Sequence, residues 1–391
     1  MTKDKLKYLQ DLPVFILVTT GRTGSDLLQS LLDTHPQVLT FNGSLYQFNE
    51  FWFNSKCLKS NSVLPIDLIN EFIGINIDKF KSKYDTHERK HELGINRDSS
   101  LDIDLDIFKE EFCNIITGKI MSYSNILLSI YGAYAKTLNQ EIFQKRIFFH
   151  HIHQIEQIPD FISYFPNCKI ICTTRDPRSN FISGILNHRN FNETKFNQEF
   201  LNYYIRRILI DVSFLKNFKN EYIAIKLENM RDFSTLNALC NWLNIDYNVC
   251  MNSSTWGGLL WHGDSLSKYK INDDGDIVIH RYDWNKILPI KDKIIFNFLF
   301  YKRLLHYEYS SKKPTFLSYL LVFLLIPLPL KFEMEIWNFS KSLQIFKRNS
   351  FKYFLKIIAS NIYNYSIRIF LFYKFFFSIH NFKSTDYPYL K

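Results

Sequence analysis

None of the six cysteines, at positions 57, 113, 168, 172, 240 and 250, lies at CxxC spacing from another. A 391-residue chain with 46% hydrophobic residues buries a full core without disulfide staples, so free thiols in a reducing compartment are expected. Long apolar runs are scarce as well. The strongest, residues 316–330, spans 15 positions and contains Pro327 and Pro329, whereas a membrane-crossing helix needs about 20. Residues 1–12 carry lysines but no apolar h-region, so neither a secretory signal nor an anchor is expected ahead of the first strand. A basic excess is missing from most of the chain. Residues 1–310 hold 36 Lys/Arg against 35 Asp/Glu, which argues against a nucleic-acid-binding face. There is no GxxxxGK[ST] loop, which weighs against a Mg-dependent NTPase. No internal repeat is visible.

What is present has the rhythm of an α/β domain. Val14–Thr19 (VFILVT) reads as a buried parallel strand, followed by the loop GRTGS and by leucines at helical spacing up to Pro36. Residues 42–145 suggest helices and insertions, with residues 85–100 as a surface loop. Residues 146–151 (RIFFHH) read as a second strand and 155–164 as a short helix. Lys169–Thr174 (KIICTT) is a third strand, ending in RDPR and then a helix. Residues 199–218 suit a long amphipathic helix, Tyr222–Lys226 a fourth strand and Phe233–Leu243 another helix. Residues 256–276 look like a loop and 284–307 return to helix. Strands alternating with helices predict a parallel sheet flanked by helices.

Two strand ends carry the chemistry. In the first, a glycine loop between strand and helix offers backbone N–H groups and a helix dipole to an anion. Gly21 and Gly24 allow close approach, Arg22 adds a cation, and Thr23 and Ser25 add hydroxyls. In the second, Arg175 follows a buried strand and Ser183 lies eight residues on, so both are able to close on one phosphate. Between them sits His150-His151-Ile152-His153. His151 and His153 share one face of a strand, and an imidazole takes a proton from a hydroxyl near neutral pH. No further Cys or His at ligand spacing completes a zinc site, so no metal is expected.

The motifs GRTGS and CTTRDPRSNFIS, in this order and about 155 residues apart, resemble the PAPS-dependent sulfotransferases, in the form seen in carbohydrate-type and bacterial members. FPNCKII and, more loosely, residues 257–264 and the helix from Trp284 extend the likeness over residues 10–308. The resemblance implies a P-loop-like three-layer fold and 3′-phosphoadenosine 5′-phosphosulfate (PAPS) as the sulfuryl donor. Gly21, Arg22, Thr23, Gly24, Ser25 and Asp26 would surround the 5′-phosphosulfate, and Arg175 and Ser183 would hold the 3′-phosphate. Asp26 alternatively caps the helix. Lys268, in a loop that completes the donor site in relatives, is a further cation for the 3′-phosphate. Relatives place a base ahead of the 3′-phosphate strand. His153 is favoured here, His151 is the close alternative, and Glu156 stays in play because some members use a carboxylate. Arg22 would stabilise charge on the departing phosphate. A hydroxyl acceptor follows, with a saccharide preferred. A P-loop kinase-like phosphotransferase and a non-catalytic membrane-surface protein are the alternatives.

The likeness does not reach residues 311–391. This stretch holds 12 Lys/Arg against 3 Asp/Glu, +9 of the net +10, and 21 aromatic residues. The expected organisation is a catalytic domain over 1–310 and a helical, basic, aromatic-rich extension over 311–391. That extension either caps the domain or attaches it to an anionic membrane surface from the cytoplasmic side.

Overall fold

The computed structural model describes residues 4–45, 47–60, 62–81, 92–191, 196–263, 283–337 and 351–391. Five parallel strands form the central sheet: β1 (Val14–Thr19), β2 (Val38–Leu39), β3 (Ile147–Gln154), β4 (Lys169–Thr174) and β5 (Tyr222–Lys226). Their order is β2-β3-β1-β4-β5. The central strands are apolar almost throughout because both faces are covered: Ile16, Leu17, Val18, Ile170 and Ile171 are fully buried. The chain leaves β1 on one side for β2 and β3, then crosses to the other for β4 and β5. In open α/β sheets this reversal marks the crevice at the carboxyl ends of the strands where ligands bind.

The helices begin with α1 (Lys5–Gln10) and α2 (Ser25–Leu32). Among the described residues of 42–145 helices predominate, as expected, with longer helices at Pro65–Ile75, Leu105–Ile116 and Tyr123–Thr137; residues 85–91 of the expected surface loop lie outside the described residues. The sheet continues through the short helix Ile158–Tyr164 into β4, and Phe233–Leu243 follows β5. Residues 255–260 form a small hairpin, Thr255–Trp256 with Leu259–Leu260, where the sequence suggested only loop.

The chain divides into two compact units: residues 1–174, 217–279 and 389–391, which hold the whole sheet, and residues 175–216 and 280–388. The second unit is helical. Its core joins Phe181, Ile182 and Ile185 of Pro177–Phe191 to Leu201, Ile205 and Ile208 of Gln198–Ile210. Phe296 and Leu299 of Ile290–Leu299 complete it, together with Val322, Ile326, Phe332, Phe372 and Phe376 from beyond residue 310. Gly184 allows the first two helices to meet closely, since a Cβ there would lie 2.0 Å from the Tyr204 ring.

A buried ion pair ties this core together. Glu333 receives two hydrogen bonds from Arg368, at 3.0 Å from Nε and 2.9 Å from Nη2, with both side chains fully buried. Gln198 Nε2 and the Leu330 N–H also donate to Glu333, at 2.6 and 2.8 Å. Arg368 further donates to the carbonyls of Ile326 and Leu328. The outer surface of the same region is apolar. On the helix Phe316–Leu325, Phe316 is 89% exposed, Leu317 70% and Leu324 62%. On Phe351–Ser378, Phe351, Leu355, Ile362, Phe370 and Phe377 are exposed. Among the described residues no helix is long and apolar enough to cross a membrane.

Candidate active site

β1 ends at Thr19 and the chain turns at once into a run of left-handed residues: Gly21 at φ +97°, Arg22 at +54° and Gly24 at +90°. Only glycine adopts such values without steric penalty. At position 24 the packing also excludes a side chain, because a Cβ would lie 2.4 Å from Leu227 Cδ1. The loop is pinned by buried hydroxyls. Thr23 Oγ1 lies 2.6 Å from Thr19 Oγ1 and 2.6 Å from Thr173 Oγ1 at the end of β4, and the Gly21 N–H donates to Thr19 Oγ1 at 2.9 Å. This network holds the loop at the carboxyl edge of β1 and β4. Gly24 is the N-cap of α2, and Ser25 begins the helix. Asp26 therefore lies inside the first turn rather than at the cap, which sets aside the capping alternative. An acidic group there is favoured by the helix dipole.

Asp26 turns instead toward β3, with Oδ1 3.9 Å from His151 Nδ1. β3 is irregular at this point. Leu17 of β1 pairs with His151 and Val18 pairs with His153, so Ile152 is the extra residue of a bulge. His153 takes φ +71°, a strained value for a non-glycine residue of the kind that gathers at functional sites. The result keeps the two imidazoles together: His153 Nδ1 lies 3.3 Å from His151 Nε2. His151 is fully buried and His153 partly exposed. Behind them, Gln29 of α2 places Oε1 2.7 Å from His151 Nδ1, while its Nε2 donates to the carbonyls of Phe41 and Gly43 at 2.7 and 3.1 Å.

His150 faces elsewhere. Its Nδ1 lies 2.7 Å from the Tyr131 hydroxyl, its ring stacks on Phe161, and burial pushes its pKa down to about 3. It is a packed core histidine. Glu156 is exposed, on the single turn Ile155–Gln157.

Sequence spacing offered no third ligand for a metal beside the histidines. The fold supplies one in Asp26, whose carboxylate comes within 4.8 Å of nitrogens of both His151 and His153. The contact joins residues 125 positions apart, which no local spacing rule detects. Gln29 was missed for the same reason. Its one signal is a polar residue within the otherwise leucine-rich LLQSLL, where it is fully buried. Asp33, at the end of α2, is a second such residue. It accepts from Thr255 Oγ1 at 3.1 Å and the Gly258 N–H at 3.0 Å, and burial raises its carboxyl to about 6. It fastens the 255–260 hairpin to the helix of the glycine loop.

Arg175 and Ser183 belong to the second unit and are both buried. Arg175 is the residue after Thr174, the last of β4. Ser183 lies on Pro177–Phe191, where Asn187 Nδ2 donates to its Oγ at 3.4 Å. The second arginine of RDPR is structural. Arg178 clasps Asp176 with a shortest contact of 2.6 Å, reaches Asn297 at 2.9 Å and lies over the Trp284 ring. Lys268 lies outside the described residues.

Comparison with known proteins gives one family match. Residues 13–248 match the sulfotransferase family. No curated protein matches the chain. Among solved structures, the sulfotransferase STF9 of Mycobacterium avium is similar with a TM-score of 0.31 and 14% identity, covering 64% of this chain and 70% of its own. The sulfotransferase domain from the curacin biosynthetic pathway is similar with a TM-score of 0.33 and 13% identity, covering 71% of this chain and 96% of its own. The family match spans the glycine loop, the histidine strand, Arg175 and Ser183 and runs through β5, well over half of the chain, and on it the chain belongs to the sulfotransferase family.

Proposed function

We propose that this protein transfers the sulfuryl group of PAPS to a hydroxyl of a carbohydrate or glycan. The observation that carries the reading is the placement of two kinds of chemistry at one sheet edge. Val18 pairs with His153, and the glycine loop begins three residues later, just past the end of that strand. The loop N–H groups and Arg22 would take the 5′-phosphosulfate, and the resemblance of CTTRDPRSNFIS assigns the 3′-phosphate to Arg175 and Ser183. Lys268 is a further cation for that phosphate. The glycine loop fits an anion on its own terms, since it is left-handed, cannot accept a Cβ at position 24 and opens a helix.

His153 removes the proton of the acceptor hydroxyl as the acceptor oxygen bonds to sulfur. The bond from sulfur to the phosphate oxygen breaks in the same in-line displacement. Arg22 and the loop N–H groups stabilise the charge that develops on the departing phosphate. A saccharide acceptor is favoured by the GRTGS form of the loop. Calorimetry with 3′,5′-diphosphoadenosine and with ATP tests the donor: tight binding of the first and none of the second is expected. Arg175→Ala should weaken that binding roughly 30- to 4000-fold, the effect of about 2–5 kcal/mol from truncating a desolvated charge-assisted contact. Unchanged affinity would remove the 3′-phosphate from Arg175. Labelled PAPS offered with glycan fractions identifies the acceptor.

The reading includes peripheral attachment to an anionic bilayer on its cytoplasmic side. The exposed face of Phe316–Leu325 is bordered by exposed Lys312 and Lys313, and that of Phe351–Ser378 carries exposed Lys352 and Lys356. Apolar side chains beside lysines suit the headgroup boundary, where each cation near an anionic surface contributes about 1 kcal/mol. The full chain should float with phosphatidylglycerol vesicles, less so as salt rises. Phe316→Ser combined with Leu317→Ser and Leu320→Ser should release it without unfolding. Flotation unaffected by these changes would rule out this face.

A further inference from the structure

The buried contacts behind the histidine pair fix more than position. Gln29 Nε2 faces the carbonyls of Phe41 and Gly43, which only accept hydrogen bonds, so its Oε1 is the atom turned to His151. An amide oxygen only accepts. His151 Nδ1 therefore carries the proton, and its Nε2 carries a lone pair. That lone pair lies 3.3 Å from His153 Nδ1, which completes a hydrogen bond only if His153 in turn holds its proton on Nδ1. The remaining nitrogen of His153, Nε2, is then the basic one.

We propose that Gln29 and His151 are positioning residues that set the tautomer of His153 and leave its Nε2 as the base. The inference rests on the reading of His153 as the group that deprotonates the acceptor. Each step conserves protons. The acceptor O–H bond breaks, an N–H bond forms at His153 Nε2, and the resulting imidazolium keeps its Nδ1–H directed at the His151 lone pair. His151 stays neutral throughout, because two charged rings 3.3 Å apart repel and its Nδ1–H is already committed to Gln29. Among the described residues a charged group set against the pair is Asp26, 3.9 Å from His151, whose carboxylate favours one positive charge there. This logic explains the buried glutamine in a leucine-rich helix and the bulge that retains both rings. It also gives the 3.3 Å contact a use that needs no metal ion.

The test is long-range 1H–15N spectroscopy of the full chain labelled with 15N-histidine. His151 and His153 should both appear as Nδ1–H tautomers at pH 8. In Gln29→Leu, His151 should populate the Nε2–H form and His153 should lose its preference for the Nδ1–H tautomer. Gln29→Glu, which retains an acceptor, should restore the Nδ1–H tautomer of His151. An Nε2–H tautomer of either residue in the unmodified chain overturns the relay, and that spectrum decides even if the Gln29 variants do not fold. A spectrum that changes on adding EDTA and returns with zinc also overturns it, in favour of a metal held by Asp26, His151 and His153. Binding of 3′,5′-diphosphoadenosine is measured on the same sample. Its absence would count against the donor reading while the tautomers stand or fall separately.

Discussion

Replacing Arg368 by Met should destabilise the protein by about 3–5 kcal/mol, because it strands a carboxylate in a dry core. The structure sets this magnitude. Glu333 and Arg368 have no solvent exposure, and the pair is bidentate at 3.0 and 2.9 Å. After the substitution Glu333 keeps only the Leu330 N–H and Gln198 as donors. In the reverse variant, Glu333→Leu, Arg368 loses its carboxylate and keeps the carbonyls of Ile326 and Leu328. The double variant should recover most of the loss, since replacing a whole buried pair by apolar groups is often near neutral. Urea unfolding of the four proteins gives a double-mutant cycle, and the coupling should exceed about 2 kcal/mol. A loss below about 1 kcal/mol in Arg368→Met would mean that the pair is hydrated in solution. The core attributed to residues beyond 310 would then be loose. The same packing implies that cutting the chain at residue 310 removes Val322, Ile326, Phe332, Phe372 and Phe376 from a core they share with Phe181 and Phe296. Point changes on the outer face are therefore the cleaner probe of membrane attachment.

Gly24→Ala should cost about 1–3 kcal/mol in stability, combining a left-handed backbone with a contact at 2.4 Å, and should weaken 3′,5′-diphosphoadenosine binding. Gly118→Ala is the control: its φ is also positive, at +73°, but nothing lies within 4 Å, so only the conformational part of about 1 kcal/mol should appear in urea unfolding. His150 gives a pH dependence. Its folded pKa, about 3, lies below its ordinary value of 6.5, so its contribution is fully present above pH 6.5 and is lost as pH falls toward 3. Between pH 7 and pH 5 the unmodified protein should lose about 2 kcal/mol more than His150→Asn. Equal losses would show that the ring takes up its proton in the fold as readily as in the unfolded chain.

Much of the sheet was legible because its strands are short apolar runs that stop abruptly at polar turns. β1, β4 and β5 and the helix Phe233–Leu243 have the bounds the pattern predicts. β2 was not legible, since two residues, Val38 and Leu39, carry no periodicity. The helix expected over 199–218 gives way after Ile210, where Asp211 takes φ +46° and a 3₁₀ segment follows. The one expected over 284–307 is three helices, parted at Leu288-Pro289 and at Phe300. At the site, the glycine loop and the histidines announce themselves by residue type. Their partners do not. Gln29 and Asp26 meet His151 across 122 and 125 residues, and only the fold brings such contacts together. The extension beyond 310 was read from composition, which registers charge and aromaticity but not which side chains turn inward.

The bulge at Ile152 sets two demands on one residue. A left-handed backbone at φ +71° is a conformation that asparagine or glycine adopts with less strain than histidine does. Selection for fold stability alone would therefore drift position 153 away from an imidazole. Its presence is evidence that another pressure acts there, and it makes this position a place where a more robust protein and a working one part company. Attempts to harden this fold by backbone idealisation should leave 153 alone and draw their gains from the far side of the sheet.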